Sequence, residues 1–337
     1  MLHTALCDLL EIRHPIIQGG MGPNDTTDLA IAVCRAGGLG TISSSGADRA
    51  GDAYQNTRRR IQHVKAATDS SFAVNQVIKG TEAQDRIRAV VDERRDDPEV
   101  RRRLKVVITS GGNPAVVAPA LRESGVLHIQ VVPTVYHARK AVQCGCAAVI
   151  AEGYESGGHV AYEPVHTLVL LPAVIDAVSV PVIAAGGFAD GRGLAAALAL
   201  GAVGIQMGTR FYLSREASQD GGFAHPAVQR ALFEARETDT LVVPGVYGPN
   251  RHWRNARGTE LARLAAAGAP HEEIEHLKEE GLEAKLAGDL ERAAVPIGMV
   301  VGRIDQPLGV AEIIARIVAD AEQTIARLQQ RVGSPVV

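Results

Sequence analysis

Residues 151–164 read AEGYESGGHVAYEP and follow a short apolar run, so carboxylates, glycines and a histidine stand where a buried strand has just ended. Histidine suits proton transfer, because its unperturbed pKa lies near working pH. Gly157 and Gly158 let the chain bend sharply just before His159. The plainer reading is a histidine that only caps its loop. A second constellation comes later, where AAGGFADGRG and IQMGTRF place Gly187, Gly208 and Thr209 just after two further apolar runs. Backbone N–H groups at such turns can hold a phosphate monoester; alternatively, the glycines only make tight turns. The chain has no GxxxxGK[ST], no strand-1 GxGxxG, no G-x-S-x-G and no His/Asp/Glu cluster at metal-ligand spacing, so no metal site is expected. His3, His14, His63, His137, His225, His271 and His276 lack a comparable context and read as surface or packing residues.

The elements that must position these groups alternate short apolar runs with longer stretches at helical spacing, the pattern of βα units around a parallel sheet. The runs are PIIQG (15–19), LGTI (39–42), FAVNQ (72–76), KVVIT (105–109), HIQVV (128–132), AAVIA (147–151), PVIAA (181–185) and GIQMG (204–208). Helical stretches between them include 25–36, 53–67, 82–103, 114–123 and 191–200. Eight such strands predict the α/β class and a (β/α)8 TIM barrel, typically ~250 residues long, rather than a doubly wound sheet. Beyond them, 240–257 reads as loop, with Pro244, Gly245, Gly248 and Pro249; 259–290 reads as charged helices, and about 310–331 as a last amphipathic helix. The expected organisation is therefore a barrel at 1–239, a C-terminal helical cap at 240–302, and a helix at 303–337 packing back on the barrel. Barrel chemistry sits after the strands' C-terminal ends. Those ends are glycine-rich or polar: 18–22, 43–46, 75–76, 109–113, 133–134, the stretch from Glu152, 186–187 and 208–210. His159 would project over this mouth.

Composition narrows the partners. With 35 Lys+Arg against 38 Asp+Glu, a net charge of −3 and 46% hydrophobic residues, the 337-residue chain is expected to be soluble and globular, with no footprint for nucleic acid or an anionic membrane. A small-molecule substrate is the expected partner. The four cysteines form no metal-type spacing and read as reduced thiols. The opening residues lack a basic n-region, and the most apolar segment, 167–186, is broken by Pro172, Asp176 and Pro181, so a cytoplasmic protein is expected. The run HEEIEHLKEEGLEAKLAGDLERA reads as a solvated charged face, with a homodimer contact as its other reading. Tyr154, Tyr162, His166, Tyr247, His252 and Trp253 read either as substrate-side or as packing residues.

HPIIQGGM, AGGLGTI, FAVN, AEGYESGGH, VPVIAAGGFADGRGLAAALALGAVGIQMGTRF and RNAR together resemble the nitronate monooxygenase (2-nitropropane dioxygenase-like) flavoprotein family over nearly the whole chain. Inosine monophosphate dehydrogenase-like barrels share a similar phosphate loop pair, but their catalytic cysteine loop has no match. The resemblance implies an FMN-binding TIM barrel with a helical substrate cap. It carries FMN onto Gly20, Met21, Gly22, Asn75, Glu152, Gly157, Gly187, Gln206, Gly208 and Thr209, with the phosphate at Gly187, Gly208 and Thr209, and places His159 beside flavin and substrate. The family includes nitronate monooxygenases, flavin-type enoyl-acyl carrier protein reductases and NAD(P)H:quinone reductases. Glu152 and VVPTV look like the enoyl reductase branch, whereas GFADGRGL, HPAV and RNAR look like the quinone reductase branch. The expectation leans to a reductase that takes hydride from NADH or NADPH, against nitronate oxidation with O₂ and a non-catalytic flavin-binding barrel. Glu152 either faces the flavin ring, where ionisation would disfavour an anionic reduced flavin, or pairs with a loop cation such as Arg192.

Overall fold

The computed structural model describes residues 2–43, 52–80, 82–219, 222–245 and 248–333; the expected turn at 44–46 and Tyr247 lie outside them. In chain order the strands are β1 (Ile16–Gln18), β2 (Gly40–Ser43), β3 (Phe72–Val77), β4 (Leu104–Ser110), β5 (Leu127–Val132), β6 (Ala148–Glu152), β7 (Gly158–His159), β8 (Val182–Ala185), β9 (Ile205–Met207), β10 (Thr240–Val243) and β11 (Asn250–Trp253). The helices are α1 (Ala5–Leu10), α2 (Thr27–Arg35), α3 (Ala53–Ala67), α4 (Ala83–Asp96), α5 (Pro98–Arg103), α6 (Ala118–Ser124), α7 (Val135–Gln143), α8 (Thr167–Ile175), α9 (Gly191–Ala199), α10 (Thr209–Tyr212), α11 (Pro226–Phe233), α12 (Ala256–Ala266), α13 (His271–Ala287) and α14 (Val310–Gly333). All eight expected strands form one parallel sheet in the order β1-β9-β8-β6-β5-β4-β3-β2. A bridge between Ile17 and Leu39 brings its two edges together, giving the (β/α)8 barrel.

Period-two alternation fills both sides of this wall. Ala148 and Ile150 of β6 join Val106, Ile108, Ile129 and Ile183 inside the barrel, whereas Val149 and Ala151 face the helices. Leu6 and Leu10 of α1 belong to the inner cluster, and a Cβ on Gly204, just before β9, would sit 2.5 Å from Leu6. Thus α1 plugs the N-terminal end and leaves the C-terminal end for chemistry. Asp52, Thr134, Asp190 and Asn255 each start a helix by accepting from an amide two or three residues on.

Two expectations change. The stretch 82–103 is split, because Asp97 precedes Pro98 and takes extended angles (φ −127, ψ 108). Its carboxylate accepts from Glu99 N and Val100 N to start α5 afresh. The stretch 240–257 is not simply loop: β10 and β11 pair antiparallel, and β11 also pairs with β7, making a three-stranded sheet over the barrel mouth. Polar Asn250-Arg251-His252 gave no apolar alternation to mark a strand.

The chain then runs through α12 and α13 and returns as a 3-10 turn at Met299–Arg303. A Cβ on Gly302 would lie 2.3 Å from Glu237 N, so the excursion begins and ends at nearly the same place. Helix α14 packs on α9 and α2 and completes the outer ring. The seam with α9 is backbone-tight: a Cβ on Gly191 would meet Ala321 N at 2.4 Å and Ile317 O at 2.5 Å. Gly191→Ala should therefore displace α14 and cost about 1–3 kcal/mol, read as a lower denaturant midpoint; an unchanged midpoint would refute this account of the seam.

Candidate functional site

The C-terminal ends of the barrel strands and the inner side of α13 line a cavity of about 1280 Å³. Every residue singled out for cofactor or catalysis lines it. Gly20, Met21 and Gly22 come from the loop after β1, Asn75 from β3, Glu152 from the end of β6, and Gly157 and His159 from the turn into β7. Gly187 follows β8, Gln206 lies in β9, and Gly208 and Thr209 follow it.

Local geometry explains several of these residue types. A Cβ on Gly20 would fall 2.3 Å from Asn75 Cγ, so the Asn75 side chain lies directly on the β1 loop. Gly187 has φ +85, in the left-handed region where glycine is favoured. A Cβ on Gly208 or Gly158 would meet no protein atom within 4 Å, so the space above both backbones belongs to the cavity. Gln206 is buried, and its Oε1 has no partner among the described residues. Thr209 Oγ1 accepts from Gly298 N at 3.0 Å, fastening the returning chain to the barrel while its own hydroxyl hydrogen stays available to donate.

The β7–β11 pairing sets His159 opposite Asn250. The histidine is exposed and lines the cavity. Burial, followed by Lys278 and opposed by Glu275, lowers its pKa to about 4. The imidazole is therefore neutral at pH 7, against the expectation of a group titrating there. Glu152 moves the other way, since burial raises its pKa to about 7. Arg192 does not pair with it: Arg192 Nη2 donates to Asp190 Oδ2 at 2.6 Å. The neighbouring Glu155 is structural, accepting from Thr167 N at 3.1 and 3.0 Å at the start of α8.

Other sequence features separate cleanly. Tyr162 and His252 line the cavity, whereas Tyr154 and His166 make an edge-to-face pair at 5.8 Å outside its lining and Trp253 packs on the main core. The RNAR motif is architectural: Asn255 Oδ1 caps α12, its Nδ2 donates to Leu290 O and Ala293 O at 2.7 Å, and buried Arg257 faces Glu260 and Glu280 at 3.4 Å. The charged run of α13 is not wholly solvated. Lys278 and Lys285 line the cavity, and Lys285 is 0% exposed. A lysine in a Glu-rich run carries no sequence mark of burial. His252 is also buried, with its pKa lowered to about 3 by burial and then by Lys278, His159 and Lys285.

Known proteins resemble this arrangement over most of its length. FabK from Thermotoga maritima is 36% identical, matching 98% of this chain and 100% of that one with a TM-score of 0.87. A nitroalkane oxidase from Streptomyces ansochromogenes is 26% identical over 96% of this chain and 100% of that one, with a TM-score of 0.78. The (3aS,4S,5R,7aS)-5-hydroxy-7a-methyl-1-oxo-octahydro-1H-indene-4-carboxyl-CoA dehydrogenase of Rhodococcus jostii is 38% identical over 231 residues, which are 68% of this chain and 61% of that protein. The sequence profile described as Nitronate monooxygenase matches residues 3–320, and with these relatives it shows that the chain belongs to the nitronate monooxygenase family of flavin-dependent oxidoreductases.

Proposed function

We propose that this chain uses FMN to move hydride to or from the Cα–Cβ bond of an acyl thioester, with NADH or NADPH as donor in the reductive direction. The observation that carries the reading is a two-sided cavity, with a glycine-lined barrel wall facing a histidine- and lysine-bearing wall from 240–302. At about 1280 Å³ it exceeds the ~300–1,000 Å³ of a single small-ligand pocket, leaving room for a substrate beside a cofactor. The relative named for a carboxyl-CoA and the enoyl reductase FabK favour a thioester over a quinone.

The residues suit FMN. Open space over Gly208, left-handed Gly187 and the Thr209 hydroxyl would take the phosphate; Asn75, Gln206 (whose Oε1 has no partner among the described residues) and the 20–22 backbone would face the ring, with Glu152 and Gly157 at its margin. Bound there, FMN would supply reversible two-electron transfer. His159, neutral at pH 7, serves as proton acceptor from Cα in the dehydrogenating direction; in reduction it must first pick up the proton it delivers. The segment 240–302 acts as the substrate unit, covering the mouth and excluding water.

Nitronate oxidation is the second reading, favoured by the nitroalkane oxidase likeness. A neutral His159 could equally take a proton from a nitroalkane carbon. To separate the two, the purified yellow protein is mixed without oxygen with NADH, NADPH or a nitronate while flavin absorbance is followed. Bleaching by a nicotinamide supports the reductase; bleaching only by the nitronate overturns it.

His159→Ala should lower turnover by roughly 10²–10⁴-fold while flavin content stays unchanged. With the Glu152 component removed by Glu152→Gln, kcat/KM for dehydrogenation should hold from pH 7 to 5 and fall below about 4 as His159 takes up a proton; normal turnover in His159→Ala would remove His159 from the chemistry. Glu152 ionises at about pH 7 and then sets negative charge against a group gaining electrons. Flavin reduction should thus become harder as pH rises through 7, and Glu152→Gln should abolish that component. Parallel midpoint potentials for both proteins from pH 6 to 8 would exclude it.

A further inference from the structure

We propose that Lys285 and His252 form an oxyanion subsite on the cap wall, holding the carbonyl oxygen of the acyl thioester as it gains negative charge. This rests on the thioester reading above and deepens it.

Two independent observations point to a missing anionic oxygen. Lys285 reaches from α13 into the cavity wall at 0% exposure, and its Nζ donates to Asn24 Oδ1 at 2.5 Å. An ammonium has three donors, and an amide oxygen supplies no counter-charge. Among the described residues no carboxylate pairs with it, and a buried cation without a counter-charge is strongly disfavoured. Lys278 differs, since it is held by Glu275 at 2.9 Å. The second observation is His252, 3% exposed and lining the same cavity, whose two ring nitrogens have no partner among the described residues. Buried polar atoms are ordinarily satisfied, so both call for a partner that the protein does not supply. His159, His252, Lys278 and Lys285 all line this cavity together with Glu275, so the His252 ring shares its wall with two lysines and one carboxylate.

The subsite is placed relative to the barrel wall. Asn24 Nδ2 donates to Met21 O at 2.6 Å, so Lys285 is fixed, through Asn24, over the loop that carries Gly20 to Gly22. In reduction, a hydride that bound FMN would supply bonds to Cβ. The Cα=Cβ electron pair shifts towards the carbonyl, and its π pair moves onto oxygen, leaving a thioester enolate. A proton then bonds to Cα as the carbonyl re-forms. In dehydrogenation, a base removes the Cα proton, the same enolate forms, and hydride leaves Cβ, for which bound FMN would be the acceptor. The charge falls on the same oxygen either way, so the subsite serves both directions.

Acetoacetyl-CoA tests this without turnover, because its acidic Cα ionises when a site favours the enolate, which absorbs in the near ultraviolet. The purified holoprotein at pH 7 is titrated with acetoacetyl-CoA, with binding followed by calorimetry and ionisation by difference spectrum. The wild type should bind it as enolate. Lys285→Met and His252→Phe should each still bind it, with the enolate-to-keto ratio lower by on the order of 10²-fold. If Lys285→Met fails to fold, His252→Phe carries the comparison. Equal ionisation in wild type and variants overturns the subsite and leaves the thioester reading standing; no binding by the wild type overturns the thioester reading itself.

Discussion

Two residue pairs, His159 with Asn250 and Gly158 with Arg251, tie the loop after β6 to the strands laid over the barrel mouth. A two-residue strand has no stability of its own. It is held because Val160 N donates to Pro249 O at 2.9 Å and Arg251 Nη2 reaches back to Tyr154 O at 2.9 Å. On the other side, the close approach of Gly157 to Gly298 leaves no room for a side chain. This narrow pairing turns the loop after β6 from a surface connection into part of a wall. It also puts His159 between two structural units, so its environment depends on both.

Electrostatics follow from that placement. Burial leaves His159 and His252 uncharged and allows Glu152 to retain its proton to about pH 7. The fixed cations, Lys278 and Lys285, come from α13. Charge of both signs lines each side, since Lys79, Arg86 and Lys140 join Glu152 on the barrel side while Glu275 and Glu279 accompany the two lysines on α13.

Much of the barrel was legible because a parallel strand buried on both faces appears as a short apolar run, and eight such runs recur at βα spacing. The mouth residues were legible for a related reason: Gly187 and Gly208 stand directly after strands whose ends the apolar runs mark. Burial created by tertiary contact was not legible. Lys285 sits in a run that resembles any solvated helix, and its fate depends on meeting Asn24, 261 residues away in sequence. His252 lies in a strand defined by its partners rather than by its own pattern. The lowered pKa of His159 was not legible either, since it comes first from burial and then from Lys278 on a distant helix. The split at Asp97–Pro98 was written in the sequence, but the helical periodicity on either side concealed it.

The excursion from β10 to the 3-10 turn leaves and rejoins the barrel where Glu237 meets Gly302, and α14 then closes the ring between α9 and α2 as though nothing had intervened. An insertion with such a narrow neck places few demands on its host. Sequence drift within it can reshape one wall of the cavity while the barrel keeps its packing, so the two walls can evolve at different rates. A family with one barrel and several chemistries is the natural product of that modularity.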